Sequence, residues 1–138
     1  MHTVATILRQ KGPHTNYITA GSSVLKAARV MKQKNRSYLI VRSNGKYVGI
    51  LSEKDCVYKL ILKEKDARTT LVQEIMTTDL PVVGLDDTAE QCMLLINSSK
   101  SRYLPAFDED KFKGIITIHD LMTEALIEHE IHDHHWVD

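Results

Sequence analysis

The feature that most constrains the fold is an internal repeat. "GIITIHDL" at 114–121 has the pattern of "GILSEKDC" at 49–56, an offset of 65 positions, which is 114 minus 49. "VATIL" at 4–8 resembles "VQEIM" at 72–76 with an offset of 68. The offset of 65 also pairs Tyr38 with Tyr103, Tyr47 with Phe112, Gly49 with Gly114, Ser52 with Thr117, and Asp55 with Asp120. Similar patterns at low identity indicate a duplicated structural unit.

Each half predicts a strand, a helix, two strands and a second helix. "SSVLKAARVMKQKN" at 22–35 starts with serines suited to an N-cap and has apolar residues on one helical stripe. Asn44-Gly45 marks a hairpin between two short strands. "EKDCVYKLILKEK" at 53–65 predicts a helix that buries Val57, Leu60 and Ile61. The sequence therefore predicts a mixed α/β (α+β) fold with repeats at 1–65 and 66–138.

Size and charge limit the possible functions. Half of a 138-residue chain would bury too little surface to be stable alone, so we expect the repeats to share a core. Eighteen basic and eighteen acidic residues without a long basic run argue against a nucleic-acid or anionic-membrane partner. No apolar run approaches the ~20 residues of a membrane span. With Cys56 and Cys92 interpreted as buried free thiols, we expect a cytoplasmic protein.

Several motifs together resemble a known family. The paired "GILSEKD" and "GIITIHD", the hairpin "RYLPAFDEDKFKG" and the opening "VQEIMTTDLPVV" resemble a tandem pair of cystathionine-β-synthase (CBS) domains, the Bateman module. The resemblance covers about residues 4–127 and is greatest to the small stand-alone type. It implies two β-α-β-β-α repeats that pack through their sheets about a pseudo-two-fold axis. It also implies a regulatory module that binds an adenosyl ligand (AMP, ADP, ATP, NAD or S-adenosylmethionine) in clefts between the repeats.

The Ser/Thr-x-x-Asp motif has two physical interpretations. Ser52 and Thr117 precede predicted helices, whose free N–H groups favour an anion such as a phosphate. Asp55 and Asp120, three residues later, are placed to accept hydrogen bonds from ribose hydroxyls. The same spacing also suits a capping box that binds nothing. Two copies in register favour a ligand site in at least one half.

The resemblance implies that each site combines residues of both repeats. The first would contain Ser52, Lys54, Asp55, Val82, Val83, Arg102, Tyr103, Leu104 and Pro105. The second would contain Thr117, His119, Asp120, Asn16, Tyr17, Ile18, Ser37, Tyr38 and Leu39. Because Lys54 and Arg102 would attract a phosphate, we expect tighter binding at the first site. Tyr38 and Tyr103 either stack on adenine or pack in the fold.

The remaining predictions concern other functions and partners. The alternative function is a protein-interaction scaffold with non-functional nucleotide sites. We predict no enzyme activity and no catalytic residues, because no nucleophile, base and orienting group fall together and no metal motif is convincing. We also predict no metal residues and no required cofactor. "EHEIHDHHWVD" at 128–138 contains His129, His132 and His135; we interpret it as an exposed polar tail, with metal binding as the alternative.

Apolar helix faces predict self-association. Met31, Met93, Leu121 and Leu126 lie on these faces and are expected to leave surface that a second chain covers. A homodimer is therefore the expected assembly. The sequence does not identify a regulated protein partner.

Overall fold

The computed structural model describes the backbone of residues 2–137 and the side chains of residues 2–127. Its elements in chain order are α1 (Val4–Lys11), β1 (Tyr17–Thr19), α2 (Val24–Lys34), β2 (Tyr38–Ser43), β3 (Lys46–Ser52), α3 (Glu53–Asp55) with a π-helical continuation (Cys56–Ile61), α4 (Val72–Ile75), β4 (Val83–Gly84), α5 (Ala89–Ser99), β5 (Tyr103–Asp108), β6 (Lys111–Thr117) and α6 (Ile118–Val137). Within the described residues, no helix combines the length and apolar content needed to cross a membrane.

The chain divides into two compact units. One comprises His14–Asp79, and the other comprises Met1–Pro13 with Leu80–Asp138. We call them the first unit and the second unit. Each therefore contains the strands of one repeat and a short helix that precedes the strands of the other.

The first unit contains a three-stranded sheet in the order β1-β2-β3, in which β1 is parallel and β3 antiparallel to β2. The predicted hairpin turn is confirmed at Asn44 and Gly45, whose φ angles are 52° and 76°. Positive φ at both positions matches the twist of the adjoining strands. A bulge between Val41 and Arg42 interrupts the register of β2 and β3.

The second unit repeats this arrangement. Its sheet has the order β4-β5-β6, with a parallel and an antiparallel pair in the same sequence. Its bulge falls between Ala106 and Phe107, 65 positions after the bulge of the first sheet. The predicted mixed α/β class and the duplication are confirmed, and the two sheets share even the position of the bulge.

Each sheet is covered by an amphipathic helix and by a short helix from the other half of the sequence. In the first unit, Val24, Ala27 and Met31 of α2 pack with Val72 and Ile75 of α4. In the second unit, Cys92 and Ile96 of α5 and Leu121 of α6 pack with Val4 and Ile7 of α1. The apolar side chains of each short helix therefore complete the core that the sheet and the longer helix form.

Two predictions about apolar side chains are wrong in detail. Val57 and Ile61 were expected inside, but they are exposed, whereas Leu60 is buried. The cause is the π-helical turn, marked by the bond from Leu62 N–H to the Val57 carbonyl, because a wider turn changes which side chains share a face.

Two residues expected on a dimer surface lie in cores instead. Met31 and Leu121 are buried within the first and second units, respectively, so neither offers surface to another chain. Each lies on the apolar stripe of its helix that faces its own sheet. Leu126, in contrast, is exposed as expected.

Candidate functional site

In the first unit, the Ser-x-x-Asp motif forms a complete helix cap. The Ser52 hydroxyl accepts a hydrogen bond from Asp55 N–H at 3.2 Å, and Asp55 Oδ2 accepts one from Ser52 N–H at 2.9 Å. These reciprocal bonds are those of the capping box. The capping-box interpretation of this motif is therefore confirmed in the first unit.

The second oxygen of Asp55 is also occupied. Asp55 Oδ1 accepts from the Thr77 hydroxyl at 2.8 Å and lies 2.9 Å from Lys59 Nζ. Lys59 Nζ also donates to the Thr77 hydroxyl at 3.1 Å. Both oxygens of Asp55 therefore have partners, and its side chain is only 6% exposed.

Asp120 in the second unit has the same cap and a different set of partners. Its Oδ2 accepts from Thr117 N–H at 2.8 Å, while Asp120 N–H donates to the Thr117 hydroxyl at 3.1 Å. Lys11 Nζ donates to the same Oδ2 at 2.8 Å and to the Ile115 carbonyl at 2.8 Å. Among residues 2–127, nothing donates to Asp120 Oδ1. This carboxylate therefore has one fixed oxygen and one available oxygen.

Glycine at the start of the motif allows a close backbone approach in the first unit. A Cβ on Gly49 would lie 2.8 Å from the Thr77 carbonyl oxygen, too close for any side chain. Ile50 and Thr77 exchange backbone hydrogen bonds of 3.0 and 2.8 Å at this point. The segment after α4 thus reaches the motif strand and places Thr77 beside Asp55.

The other residues predicted for the first site are spread over exposed and buried positions. Lys54 is exposed, with its ammonium 5.6 Å from the Tyr58 ring centre, and Arg102 and Val82 are also exposed. Val83, Leu104 and Pro105 are buried, and Tyr103 is half-buried opposite Thr117 in the sheet. Within the second unit, Arg102 and Tyr103 lie at the strand end where Thr117 begins the helix, since Ile118 N–H donates to the Arg102 carbonyl.

The residues from the first unit that were predicted for the second site lie at one end of its sheet, where the parallel strands β1 and β2 begin. Asn16 is buried and donates from Nδ2 to the Tyr38 carbonyl at 3.0 Å, and Tyr38 pairs with Ser52. The carbonyl of exposed Ser37 accepts from Glu53 N–H at 3.0 Å. Ile18 and Leu39 are buried, and Tyr17 is half-buried beneath the Arg42 guanidinium at 3.7 Å. His119, in the second unit, is exposed.

Sequence reasoning missed three residues that contact the motif carboxylates: Lys11, Lys59 and Thr77. Lys59 has a local signal, because it lies four residues after Asp55 on one helical face. Lys11 ends α1 and Thr77 follows α4, and both reach their carboxylates only through tertiary structure. Their contacts carry no local sequence pattern.

Burial changes the chemistry of both cysteines and one tyrosine. Both thiols are free, and Cys92 is fully buried while Cys56 is half-buried. Burial, with the charge of Asp87 as a smaller cause, raises the pKa of Cys92 to about 11. Burial also raises the pKa of Cys56, with smaller contributions from Asp55 and Glu53, and raises the pKa of Tyr47 to about 12. Neither thiol is therefore activated as a nucleophile.

The predicted tail lies beyond the described side chains. The backbone of α6 continues through Val137, but the side chains of His129, His132, His135 and Trp136 fall outside the described residues. Within residues 2–127, no three His, Cys, Asp or Glu side chains form a group that could hold a metal ion. Whether the tail binds metal stays a prediction.

Comparison with known sequences supports the repeat assignment. The CBS domain family pattern matches residues 5–62 and 72–127. The mitochondrial CBS domain-containing protein CBSX3 of Arabidopsis thaliana is 24% identical over 136 residues, covering 92% of this chain and 66% of that protein. The CBS domain-containing protein YhcV of Bacillus subtilis is 28% identical over 113 residues, covering 79% of this chain and 77% of that protein.

Solved structures give the same result. The CBS domain NE2398 is 38% identical with a TM-score of 0.83, covering 90% of this chain and 97% of that chain. A protein with CBS domains from Burkholderia ambifaria is 31% identical with a TM-score of 0.84, covering 91% and 94%. CBSX2 in complex with AMP, at 24% identity and a TM-score of 0.72, shares the fold over 91% of this chain and 97% of that chain. The chain therefore belongs to the CBS domain family and carries two copies of that domain.

Proposed function

We propose that this chain is a regulatory module that binds an adenosine nucleotide, with the ribose held by Asp120. Two CBS domains in one chain form a known regulatory module. The observation that carries the ligand assignment is the available Oδ1 of Asp120, beside an Oδ2 fixed by Thr117 N–H. The AMP complex of CBSX2 supports the ligand class. The nucleotide is proposed as a regulatory ligand, and the stand-alone CBS relatives favour regulation over catalysis.

The geometry of Asp120 suits a ribose. A carboxylate accepts at both oxygens, and hydrogen bonds to an ionised acceptor are about twice as strong as neutral ones. The Thr117 cap fixes the carboxylate before ligand binds, so little side-chain freedom is lost on binding. The side chain is 13% exposed, which gives a ligand access while limiting competition from water. The N-terminus of α6, a 20-residue helix, favours a phosphate nearby.

The structure favours Asp120 over Asp55 as the ribose-binding residue. Both oxygens of Asp55 already accept hydrogen bonds from Ser52, Thr77 and Lys59 within the first unit. A ribose would have to replace these internal partners. We therefore assign Asp55 a mainly structural role, although Lys54 and Arg102 had favoured its site.

Matched nucleotides test the proposed ribose contact. We expect AMP to bind at least about tenfold more tightly than 2′,3′-dideoxy-AMP, because the dideoxy sugar cannot donate to a carboxylate. Isothermal titration calorimetry of both ligands measures the difference. Because the two ligands have the same base and phosphate, a difference in affinity reports on the sugar hydroxyls. Equal affinities would refute the ribose contact. Binding of neither nucleotide would favour the scaffold function.

A second copy of the chain is proposed to cover two exposed apolar strips. The first strip consists of Val57, Ile61 and Leu62, and the second of Met122, Leu126 and Ile127; each residue of the second lies 65 positions after its counterpart in the first. Ile61 and Leu126 are 62% and 65% exposed, and repeated apolar exposure is typical of a self-complementary interface.

The dimer proposal is tested by sedimentation. At tens of micromolar we expect the unmodified chain to sediment as a dimer. Leu126→Glu should shift it towards monomer, because a charge in an apolar interface is unfavourable. As a control, Lys113→Glu changes an exposed residue outside both strips. A monomeric unmodified chain at that concentration would contradict the proposal.

A further inference from the structure

We propose that Lys11 couples nucleotide binding at Asp120 to the docking of the N-terminal helix α1. In this proposal the Lys11 ammonium is a displaceable partner of the carboxylate that the ribose requires. The inference rests on the proposed function. It adds that nucleotide binding changes how the end of α1 is attached.

The core and the backbone attach most of α1 to the second unit. Val4 N–H donates to the Asp87 carbonyl at 2.8 Å, and Ala5 N–H donates to the Leu85 carbonyl at 3.0 Å. Val4 and Ile7 lie in the core of the second unit. These contacts involve the first turns of the helix and do not touch Asp120. They should therefore survive ligand binding.

The last turn of α1 is attached differently. The helix ends at Lys11 because Gly12 follows with a φ of 76° and Pro13 cannot continue the helical hydrogen bonds. Lys11 Nζ uses two of its three hydrogen-bond donors on the Ile115 carbonyl and Asp120 Oδ2. Its side chain is 20% exposed. A polar contact to a partly accessible carboxylate thus fixes the end of α1.

A ribose and Lys11 compete for the same oxygen. One ribose hydroxyl can donate to the available Oδ1 of Asp120. A second hydroxyl in bidentate contact needs Oδ2, which already accepts from Thr117 N–H and Lys11 Nζ. Thr117 belongs to the cap and stays in place, so Lys11 is the partner that must leave. Binding should therefore loosen the last turn of α1, and by reciprocity the attachment of Lys11 should weaken binding.

The first unit provides an internal contrast. Its carboxylate is held by the neutral Thr77 hydroxyl together with Lys59 from the helix of Asp55 itself. Thr77 and Lys59 hold Oδ1 and also contact each other, and Ser52 N–H holds Oδ2, so neither oxygen of that carboxylate is without a partner. Of the two motifs, only the one that contains Asp120 is therefore expected to couple ligand binding to a helix.

The experiment compares Lys11→Met with Arg9→Met. Methionine keeps a long side chain but removes the ammonium, and Arg9 is an exposed cation on α1 without an ion pair among the described residues. The probe is adenosine, whose ribose is intact and which carries no phosphate charge. We expect Lys11→Met to bind adenosine about five- to tenfold more tightly than the unmodified protein, within the usual range of coupling between sites. Arg9→Met should differ by less than about twofold.

Hydrogen exchange of the amides of residues 8–12 gives a readout independent of affinity. Saturating adenosine should speed their exchange in the unmodified protein and in Arg9→Met. In Lys11→Met, exchange should already be fast without ligand and should not change on binding. If adenosine binds the unmodified protein and Lys11→Met equally and leaves this exchange unchanged, the coupling is overturned while the proposed function stands. If neither adenosine nor AMP binds either protein, the proposed function and the coupling are both overturned.

Discussion

Ile7→Ala should lower the free energy of unfolding by about 2 to 4 kcal/mol. Ile7 belongs to the first repeat in sequence, but its side chain is 3% exposed and packs in the core of the second unit. Shortening it removes buried methyl groups and leaves a cavity in the core of the second unit, which the surrounding backbone cannot close completely. Urea denaturation followed by circular dichroism measures the change.

Leu94→Ala is the matched control for this substitution. Leu94 is an aliphatic residue on a helix of the same unit and is 70% exposed, so we expect a change within about 0.5 kcal/mol. A loss of less than about 1 kcal/mol in Ile7→Ala would contradict the placement of α1 in this core.

Asp120→Asn should weaken AMP binding about ten- to a hundredfold, because a charge-assisted hydrogen bond is worth roughly 1.5 to 3 kcal/mol. The amide oxygen can keep the bonds from Thr117 N–H and Lys11 that Oδ2 now accepts. The amide NH₂ then replaces the available Oδ1 and presents donors to the ribose hydroxyls. Folding stability should change by less than about 1 kcal/mol, since the cap is retained. Calorimetric titration and urea denaturation give the two quantities.

Asp55→Asn is the comparison variant and should show the opposite behaviour. Each oxygen of Asp55 accepts from a donor, so an NH₂ group in either position faces Ser52 N–H or the pair Thr77 and Lys59. We expect the free energy of unfolding to fall by about 1 to 3 kcal/mol, the cost of an unpaired buried polar group. AMP affinity should change less than threefold, as expected for a residue without ligand contact. A larger loss of affinity in Asp55→Asn than in Asp120→Asn would contradict the assignment of ribose to Asp120.

Local patterns were sufficient to predict the repeat, the strands and the hairpin. Asn44-Gly45 adopts the positive φ values that its sequence indicates, and Ser23 caps α2 by accepting from Lys26 N–H. The helix after Ser52 was predicted with the wrong buried face, since a π-helical turn has no signal in the 3.6-residue period. Val57 and Ile61 were misplaced for that reason.

The contacts that distinguish the two motif carboxylates could not be predicted from the repeat. Sequence similarity makes Asp55 and Asp120 equivalent, and both occupy the same cap. Their difference comes from Thr77 and Lys11, of which Lys11 lies 109 positions from its partner Asp120. With the offset of 68 found for the short helices, Lys11 aligns with Asp79, which has the opposite charge. The alignment therefore does not indicate that the two motif carboxylates have equivalent partners. Such pairings arise from the tertiary fold.

A crystal structure of the protein with AMP tests the central proposal most directly. The proposal predicts a ribose hydroxyl oxygen within hydrogen-bonding distance, about 2.5 to 3.0 Å, of Asp120 Oδ1. It further predicts that Thr117 N–H still donates to Oδ2, because the cap precedes binding. A nucleotide bound with its ribose away from Asp120, and with Oδ1 of that residue still without a ligand partner, would contradict it.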